Sequence, residues 1–540
     1  MAVETEPTFE RIPRPTADSR WPDGHPRRRV ILLVMCLSLL VVVIDNTILN
    51  TALPTMARTL PAGTSALQWI TDAYSLCLAA LLIPFGALGD RFGRRRFLLG
   101  GLVLFGLASL AAAMATNADM LIFDRVLMGA GAACVMPATL SILNAVFSVP
   151  ERPQAIAAWS AVAGIGIVIG PTLGGALLDH FYWGSVFLVN LPLVALAIVG
   201  VVLVVPETAE PAGRGLDVVG TIVIALSLVA LVDAVIEAPS RGWTAPRTLL
   251  ELGIAAVGLA VFAVWELRME DPLIDLRVFR YRAFTASSGA ITLIFFALFG
   301  SLFVLTQYLQ LVHGYSPFGA GVRAVPFAIA MGVLSPISAD LVRHLGERTV
   351  ISSGVALMGL GLLDLSRIGV STGYGPMAVA IVIMGAGMGL VMAPASTTIM
   401  ASVPASQAGA GSAINDTIRE VGGSLGVAVV GSLTASLYAR HLAATLHAHH
   451  APAGLTHAAT SSVAAADAIG AQAGGGTGAA LTAAAHSAFT EAMSSGMQVA
   501  GAVALLGALA CFLALPRRRR ALADTPSLVA TSSGCAEQAA

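Results

Sequence analysis

The sequence predicts an all-α protein that crosses a membrane fourteen times, and three observations predict it. The first is composition. Of 540 residues, 56% are hydrophobic and 11% charged, and the mean hydropathy is +0.82. A soluble domain carries roughly 25% charged residues. This chain lacks the charge to wet the surface of several hundred residues of soluble fold. The second is segment length: a bilayer core of about 30 Å takes about 20 apolar residues per helix. The third is the placement of basic residues. All 30 are Arg, and they gather in alternate connections.

With that length as ruler, the apolar segments fall near 30–52, 66–87, 97–116, 120–145, 155–178, 186–205, 217–237, 248–267, 284–308, 319–340, 349–367, 376–398, 409–438 and 488–515. The first is too long for the apolar stretch of a signal peptide and is read as a spanning helix. With the N-terminus inside, 22 of the Arg residues fall on the cytoplasmic side and five outside. Cytoplasmic clusters include Arg27–Arg29, Arg94–Arg96 and Arg517–Arg520. This is the positive-inside pattern with both termini cytoplasmic, and only an even number of spans keeps the last cluster there.

Segment 2 ends in Gly86-Ala-Leu-Gly-Asp90-Arg91-Phe-Gly93-Arg94, and segment 10 in Arg343-His-Leu-Gly346-Glu-Arg348, an echo in which Arg343 takes the place of the Asp. Such internal repeats are usual in secondary transporters. The expected domains are a cytoplasmic tail (1–29), a six-helix bundle (30–205), a linker with two inserted helices (206–283), a second six-helix bundle (284–515) and a cytoplasmic tail (516–540). Within the second bundle, 439–487 reads as a long outer loop. Its six His residues, His441 to His486, are set among Ala and Gly and read as a flexible connector rather than a metal site.

Several function classes are excluded. Without Lys there is no Walker A lysine for phosphate and no Schiff base. The five Cys residues show no metal spacing. A net charge of −1 leaves no nucleic-acid footprint. No nucleophile stands beside a base, so no enzyme and no catalytic residue is expected. No cofactor or metal is expected either.

Ionisable groups inside a bilayer are expensive and mark function by default. Asp45 lies deep in segment 1, Asp72 in the first turns of segment 2, and Asp416 and Glu420 in segment 13. The last two share a helix face at i, i+4. Two acids on one low-dielectric face cannot both ionise cheaply, which makes one a proton carrier at neutral pH. Each has a structural alternative: an ion pair with Arg419 for the segment 13 acids, a hydrogen-bonded packing group for Asp45, an interfacial acid for Asp72. Arg125 in segment 4 stays protonated and cannot itself shuttle protons; it can hold a carboxylate, or clamp backbone carbonyls. Asp233 and Glu237 read as interfacial only. Gly166, Gly170 and Gly174, with Pro171, give segment 5 a smooth, bent face suited to a sliding seam between halves, or to ordinary close packing. Trp69, Tyr74, Phe295, Phe296 and Phe299 are available to line a cavity and meet a cation, or to pack.

On these residues the sequence resembles the major facilitator superfamily, specifically the fourteen-helix drug:proton antiporters of its EmrB/QacA branch. GALGDRFGRRR is similar to the superfamily's loop 2–3 motif. Arg125 with Gly129, Gly131 and Pro137 is similar to its helix 4 motif, and Gly170-Pro171-Thr-Leu-Gly174-Gly175 to the antiporter motif of helix 5. The stretch from Asp45 to Pro54 is similar to the branch's helix 1 signature. The resemblance spans all fourteen segments and leaves out both tails and 439–487. It implies a rocking antiporter in the bacterial inner membrane, driven by the proton gradient and exporting small lipophilic drugs. It ties Arg125 to proton transfer and helix 5 to export. It makes Gly86, Asp90, Arg91, Gly93 and Arg94 a latch of the outward-facing state. WITDAYSL also resembles the subset that handles lipophilic cations, where acids in helices 1, 2 and 13 matter. The alternative is export of an endogenous antibiotic, metabolite or lipid.

Overall fold

The computed structural model describes residues 21, 23–60, 63–148, 150–209, 217–269, 272, 276–401 and 408–516. Residues 1–20 and 517–540, with the Arg517–Arg520 run, lie outside the described residues. So does Arg214 of the linker.

Apolar runs fold as helices because only a helix satisfies its own backbone in lipid. In the first half these are α1 (Arg28–Thr59), α2 (Thr64–Phe92), α3 (Arg94–Ala113), α4 (Ala118–Val146), α5 (Arg152–His180), a short α6 (Ser185–Leu188) and α7 (Asn190–Val204). The inserted pair is α8 (Val218–Arg241) and α9 (Pro246–Arg268). The second half holds α10 (Arg282–Gln307), α11 (Pro317–Arg323), α12 (Val325–Leu345), α13 (Glu347–Leu365), α14 (Tyr374–Ala401), α15 (Ala408–Ala448), α16 (Ala453–Ala459), α17 (Val463–Ala473) and α18 (Gly475–Ala514). Among the described residues, 13 helical stretches are long and apolar enough to cross a membrane. The 29-residue α5 stands between two of them, in the fifth position of the sequence pattern.

The fold is two bundles. Within the first, α4 packs on α2 and α3, and α1 on α5 and α7. Within the second, α14 packs on α12 and α13, and α10 on α15 and α18. The inserted α8 and α9 pack on each other, and α8 closes the flank between α2 and α15. Its apolar face there is Val232, Val235 and Ile236 against Leu76 and Ala428. The repeat seen in the sequence has a structural counterpart. Gly93 (φ +114°) and Gly346 (φ +83°) each turn one helix into the next in a single residue. A side chain is strained in that conformation.

Glycines let helices of one half meet almost at backbone contact. Gly166, Gly170 and Gly174 face Val43, Thr47 and Ile48 of α1. The smooth face of α5 therefore packs inside its own bundle. The contact across the halves comes from Gly175, which meets Phe318, and from the Pro171 carbonyl, which meets Gly321 of α11. In the second half Gly300 of α10 lies against Gly426 of α15, and Gly422 against Thr292.

The segment 439–487 is a correction. It is helical, not a flexible connector. Its alanines are the best helix formers, so α15 continues to Ala448 and α18 begins at Gly475. Ser462 caps α17 by accepting from the Ala465 N–H. The Tyr438 hydroxyl donates to the Ala459 carbonyl at 3.0 Å, and Thr64 of α2 donates to that of Ser461 at 3.3 Å. His486 hydrogen-bonds Asp467 at 3.0 Å, and Glu491 stands 3.3 Å from His441. The result is a cap tied to both halves.

A Cβ at Gly300 would stand 2.7 Å from the Gly426 carbonyl oxygen, whereas one at Gly253, exposed on α9, would meet nothing within 4 Å. Overpacking of this kind costs about 1–3 kcal/mol. Gly300→Leu is therefore expected to lower the melting temperature of the detergent-purified protein, read by fluorescence-detected size exclusion. Gly253→Leu is expected to leave it unchanged or raise it.

Candidate functional site

The acids picked from the sequence converge, by different routes, on the middle of the molecule. Asp45 of α1 is fully buried (0% exposed), and so is Arg125 of α4 (1%). They form an ion pair, Nη1 to Oδ2, at 2.5 Å. The guanidinium Nε also donates to the Ile70 carbonyl of α2 at 3.1 Å, and its Cζ lies 4.2 Å from the centre of the Tyr74 ring. On the far side the Asn190 amide donates to Asp45 Oδ1 at 2.8 Å and to the Ser109 hydroxyl at 2.9 Å. Asn190 opens α7 just where the sixth span breaks at Val189. That break turns an amide from an otherwise apolar run into the core.

The second group lies on α15. Asp416 pairs with Arg419 one turn on, at 3.3 Å, which realises the internal ion pair foreseen as an alternative. Arg419 also donates to the Ser396 hydroxyl of α14 at 3.3 Å and lies 5.7 Å from the centre of the Phe295 ring. Phe295 stacks on Phe299 with centroids 6.0 Å apart. Glu420, next along this face, has Ser75 of α2 beside it and feels the charges of Asp416, Arg419 and Arg125. Tyr74 in turn feels Asp45, Arg125 and Glu420. The two groups are thus neighbours across the line where α2 meets α15.

Asp72 is the third element. It is 0% exposed, and neither carboxyl oxygen makes a hydrogen bond. Ser424 of α15 lies beside it without closing one. One turn away, Gln68 donates to the Val427 and Ala428 carbonyls at 3.0 and 3.1 Å and to the Ser432 hydroxyl at 3.2 Å.

The remaining aromatics separate. Trp69 packs with the α8 cluster. Tyr74 is buried under Arg125. Phe296 presents its carbonyl to Gly426. Only Phe295 and Phe299 of the five stand on the Arg419 side.

The two halves are sealed at the end of the molecule away from the α2–α3 loop. There Gln310 donates to the Thr51 carbonyl at 2.9 Å, Arg58 to the Gln310 carbonyl at 3.4 Å, and Ser316 to Asp179 at 3.0 Å. At the Arg-rich end, Asp90 and Arg94 are spent on each other at 2.6 Å. Arg91 is exposed and lies over Phe92. Gly86 packs on Pro137. Glu207, in the extended chain after α7, accepts from the Arg95 N–H at 3.1 Å and pairs with Arg96 at 3.7 Å. Gly93 leaves room for it; a Cβ there would stand 2.7 Å from Glu207 Oε1.

Sequence reasoning missed Asn190, Ser75, Ser424 and Glu207. Asn190 carried a usable signal, a lone amide in an apolar run. The serines carried none, because a serine within a membrane helix commonly bonds its own backbone.

Residues 35–427 match the family model of the Major Facilitator Superfamily. The chain belongs to that superfamily. It is 37% identical over 422 residues to the "Multidrug resistance protein Stp" of Mycobacterium tuberculosis, covering 77% of each chain. It is 37% identical over 420 residues to the "Methyl viologen resistance protein SmvA" of Salmonella typhimurium, covering 75% of this chain and 82% of that one. Among solved structures, a bacterial homologue of the lysosomal transporter Spinster, inward-facing and unoccupied, aligns with a TM-score of 0.64 at 17% identity. The match covers 91% of this chain and 97% of that one, and it shares the fold. This superfamily member is a membrane transporter.

Removing one partner of a buried ion pair strands a charge and costs about 3–5 kcal/mol, whereas removing both costs far less. Asp45→Asn and Arg125→Gln are each expected to depress the melting temperature strongly. The paired variant Asp45→Asn with Arg125→Gln is expected to recover much of the loss. Strict additivity of the two single losses would sink this account.

Proposed function

We propose that this transporter exports lipophilic cationic drugs in exchange for protons by alternating access. It would lie in the bacterial inner membrane with both termini cytoplasmic. One observation carries the reading. A continuous set of buried and half-buried ionisable groups, the buried Asp45–Arg125 pair with Tyr74, then the half-buried Glu420 and Asp416–Arg419, runs from one half into the other beside the α2–α15 contact. Ionisable side chains at membrane depth are retained for moving charge.

In the proposed cycle a drug reaches the central space from the Arg-rich, cytoplasmic end while the opposite end is sealed. Phe295 and Phe299 offer it flat faces, and a cation over such a ring gains about 0.5–2 kcal/mol. Its positive charge favours the ionised acids, so Glu420 and Asp72 give up their protons to the cytoplasm. The loaded protein rocks, the drug leaves outside, and outside protons restore the acids. Asp45, already committed to Arg125, supplies a fixed field rather than the exchanged proton. No cofactor takes part. One charge crossing 100 mV is worth about 2.3 kcal/mol, and a tenfold gradient costs about 1.4. One proton therefore sustains on the order of a few tens-fold gradient of a neutral drug. A cation gains less per proton, since its own charge leaves against the potential. The names of the relatives support drug export. Methyl viologen, which gives one of them its name, is a flat organic dication, which supports the cationic class.

Everted vesicles energised to an acid interior test this. Adding a cationic dye is expected to release lumenal protons, seen as recovery of a quenched pH probe. Glu420→Gln is expected to abolish that recovery while the protein remains inserted. Asp72→Asn is expected to weaken cationic dyes about tenfold, or about 1.4 kcal/mol, more than neutral ones. Full recovery in Glu420→Gln would overturn the assignment.

A further inference from the structure

The α2–α15 contact has a register that can be read directly. The helices run antiparallel, and Gln68 bonds opposite Val427 and Ala428. Four residues further along α2 and four back along α15 bring Asp72 opposite Ser424. Three or four more bring Ser75 opposite Glu420. Both pairings are seen. Each helix thus presents one acid and one serine, and each acid meets the serine of the other half.

Asp72 and Ser424 are 0% and 2% exposed, and the acid's two oxygens and the serine's hydroxyl are all without a hydrogen-bond partner. A bare carboxylate in a dry site costs several kcal/mol. A neutral acid costs far less, and its O–H has an acceptor at hand in Ser424. Other charges around Asp72 are committed elsewhere. On α4, Arg125 holds Asp45. On α8, Asp233 and Glu237 hold Arg241, and Glu237 also takes the Ser65 hydroxyl. On α15, Arg419 holds Asp416, and Glu420 has Ser75 beside it. None of these is a counter-ion for an ionised Asp72.

We propose that Asp72–Ser424 and Glu420–Ser75 form a proton-operated clasp between the halves, with Ser424 and Ser75 as its positioning residues. The clasp rests on the proton-exchange reading above and names the contact through which protonation reaches the conformation. While the acids carry protons, each O–H donates to the facing serine and the seam stays shut. When they ionise, the O–H bonds break and the protons pass to water in the cytoplasm-facing cavity. The carboxylates then require hydration, and the seam parts at the sealed end.

Double electron–electron resonance between spin labels at Thr59→Cys and Ser371→Cys tests this without drug or transport. Both sites are exposed, at the sealed end, in different halves. The five native cysteines are first replaced. Between about pH 5.5 and about pH 8.5 the ratio of short to long distances is expected to fall at least about tenfold, the direction set by ionisation of a buried acid. Asp72→Asn, neutral at every pH, is expected to shrink that change severalfold, leaving the part that Glu420 supplies. Ser424→Ala is expected to deplete the short distance at the acid end, and Ser424→Thr to restore it. A distance distribution indifferent to pH, or an Asp72→Asn protein as responsive as its parent, overturns the clasp. The vesicle assay decides proton-coupled export separately. Export that persists with a pH-indifferent seam removes the clasp alone. A responsive seam in a protein whose dye export ignores the proton gradient supports the clasp and removes the coupling reading.

Discussion

The buried ion pair between Arg125 and Asp45 is the constraint on which the first half depends. A guanidinium cannot shed its charge, and an unpaired one in an apolar interior is prohibitively costly. Every neighbouring element is arranged to meet that cost. The α2 backbone gives the Ile70 carbonyl, the Tyr74 ring covers the cation, and the break before α7 delivers Asn190 to the free carboxylate oxygen. Ser109 of α3 completes the chain. Five helices are thereby locked around one charge pair, and they move as a unit or not at all.

Contacts between the halves add side-chain links to the glycine-close packing that dominates within them. Within each half, glycine faces bring backbones together, as at Gly166, Gly170 and Gly174 on α1 or Gly300 on Gly426. Such packing is short-ranged and tolerates almost no displacement. Between the halves, the sealed end combines the close approaches of Gly175 to Phe318 and of Gly321 to Pro171 with isolated side-chain hydrogen bonds such as Gln310 to Thr51 and Ser316 to Asp179. Each hydrogen bond is worth about 0.5–1.5 kcal/mol net. Rigid bundles joined by weak, replaceable contacts are what a rocking motion requires, and the close approach of Gly175 to Phe318 marks where the two surfaces turn on one another.

Much of this was legible in the sequence, because its main signals are additive. Hydropathy over 20 residues and the Arg distribution each sum many weak preferences, so the spans and the repeated Gly93/Gly346 turns emerged intact. The acids and Arg125 were legible because each is alone in an apolar run. What was not legible depends on distance across helices. Nothing near Asp45 in the chain points to Arg125, 80 residues on, and nothing marks Ser75 or Ser424 out from other membrane serines. The cap was misread for a different reason. Its Ala, Gly and His content resembles a linker, but the alanines favour helix, and the few breakers, Pro452 and Gly474, merely divide it.

A proton can drive a conformational change only through a group whose interactions differ between the two conformations. That criterion sorts the four acids. Asp45 is held by α4 and α7, both of its own half, so rocking leaves its surroundings unchanged. Asp416 is held by Arg419 on its own helix, and the same holds for it. Asp72, fully buried, and Glu420, half-buried, face residues of the opposite half, so parting the seam changes the surroundings of each of them. The two acids committed to arginines set the field, and the two at the seam are the ones whose protonation the rocking motion can read.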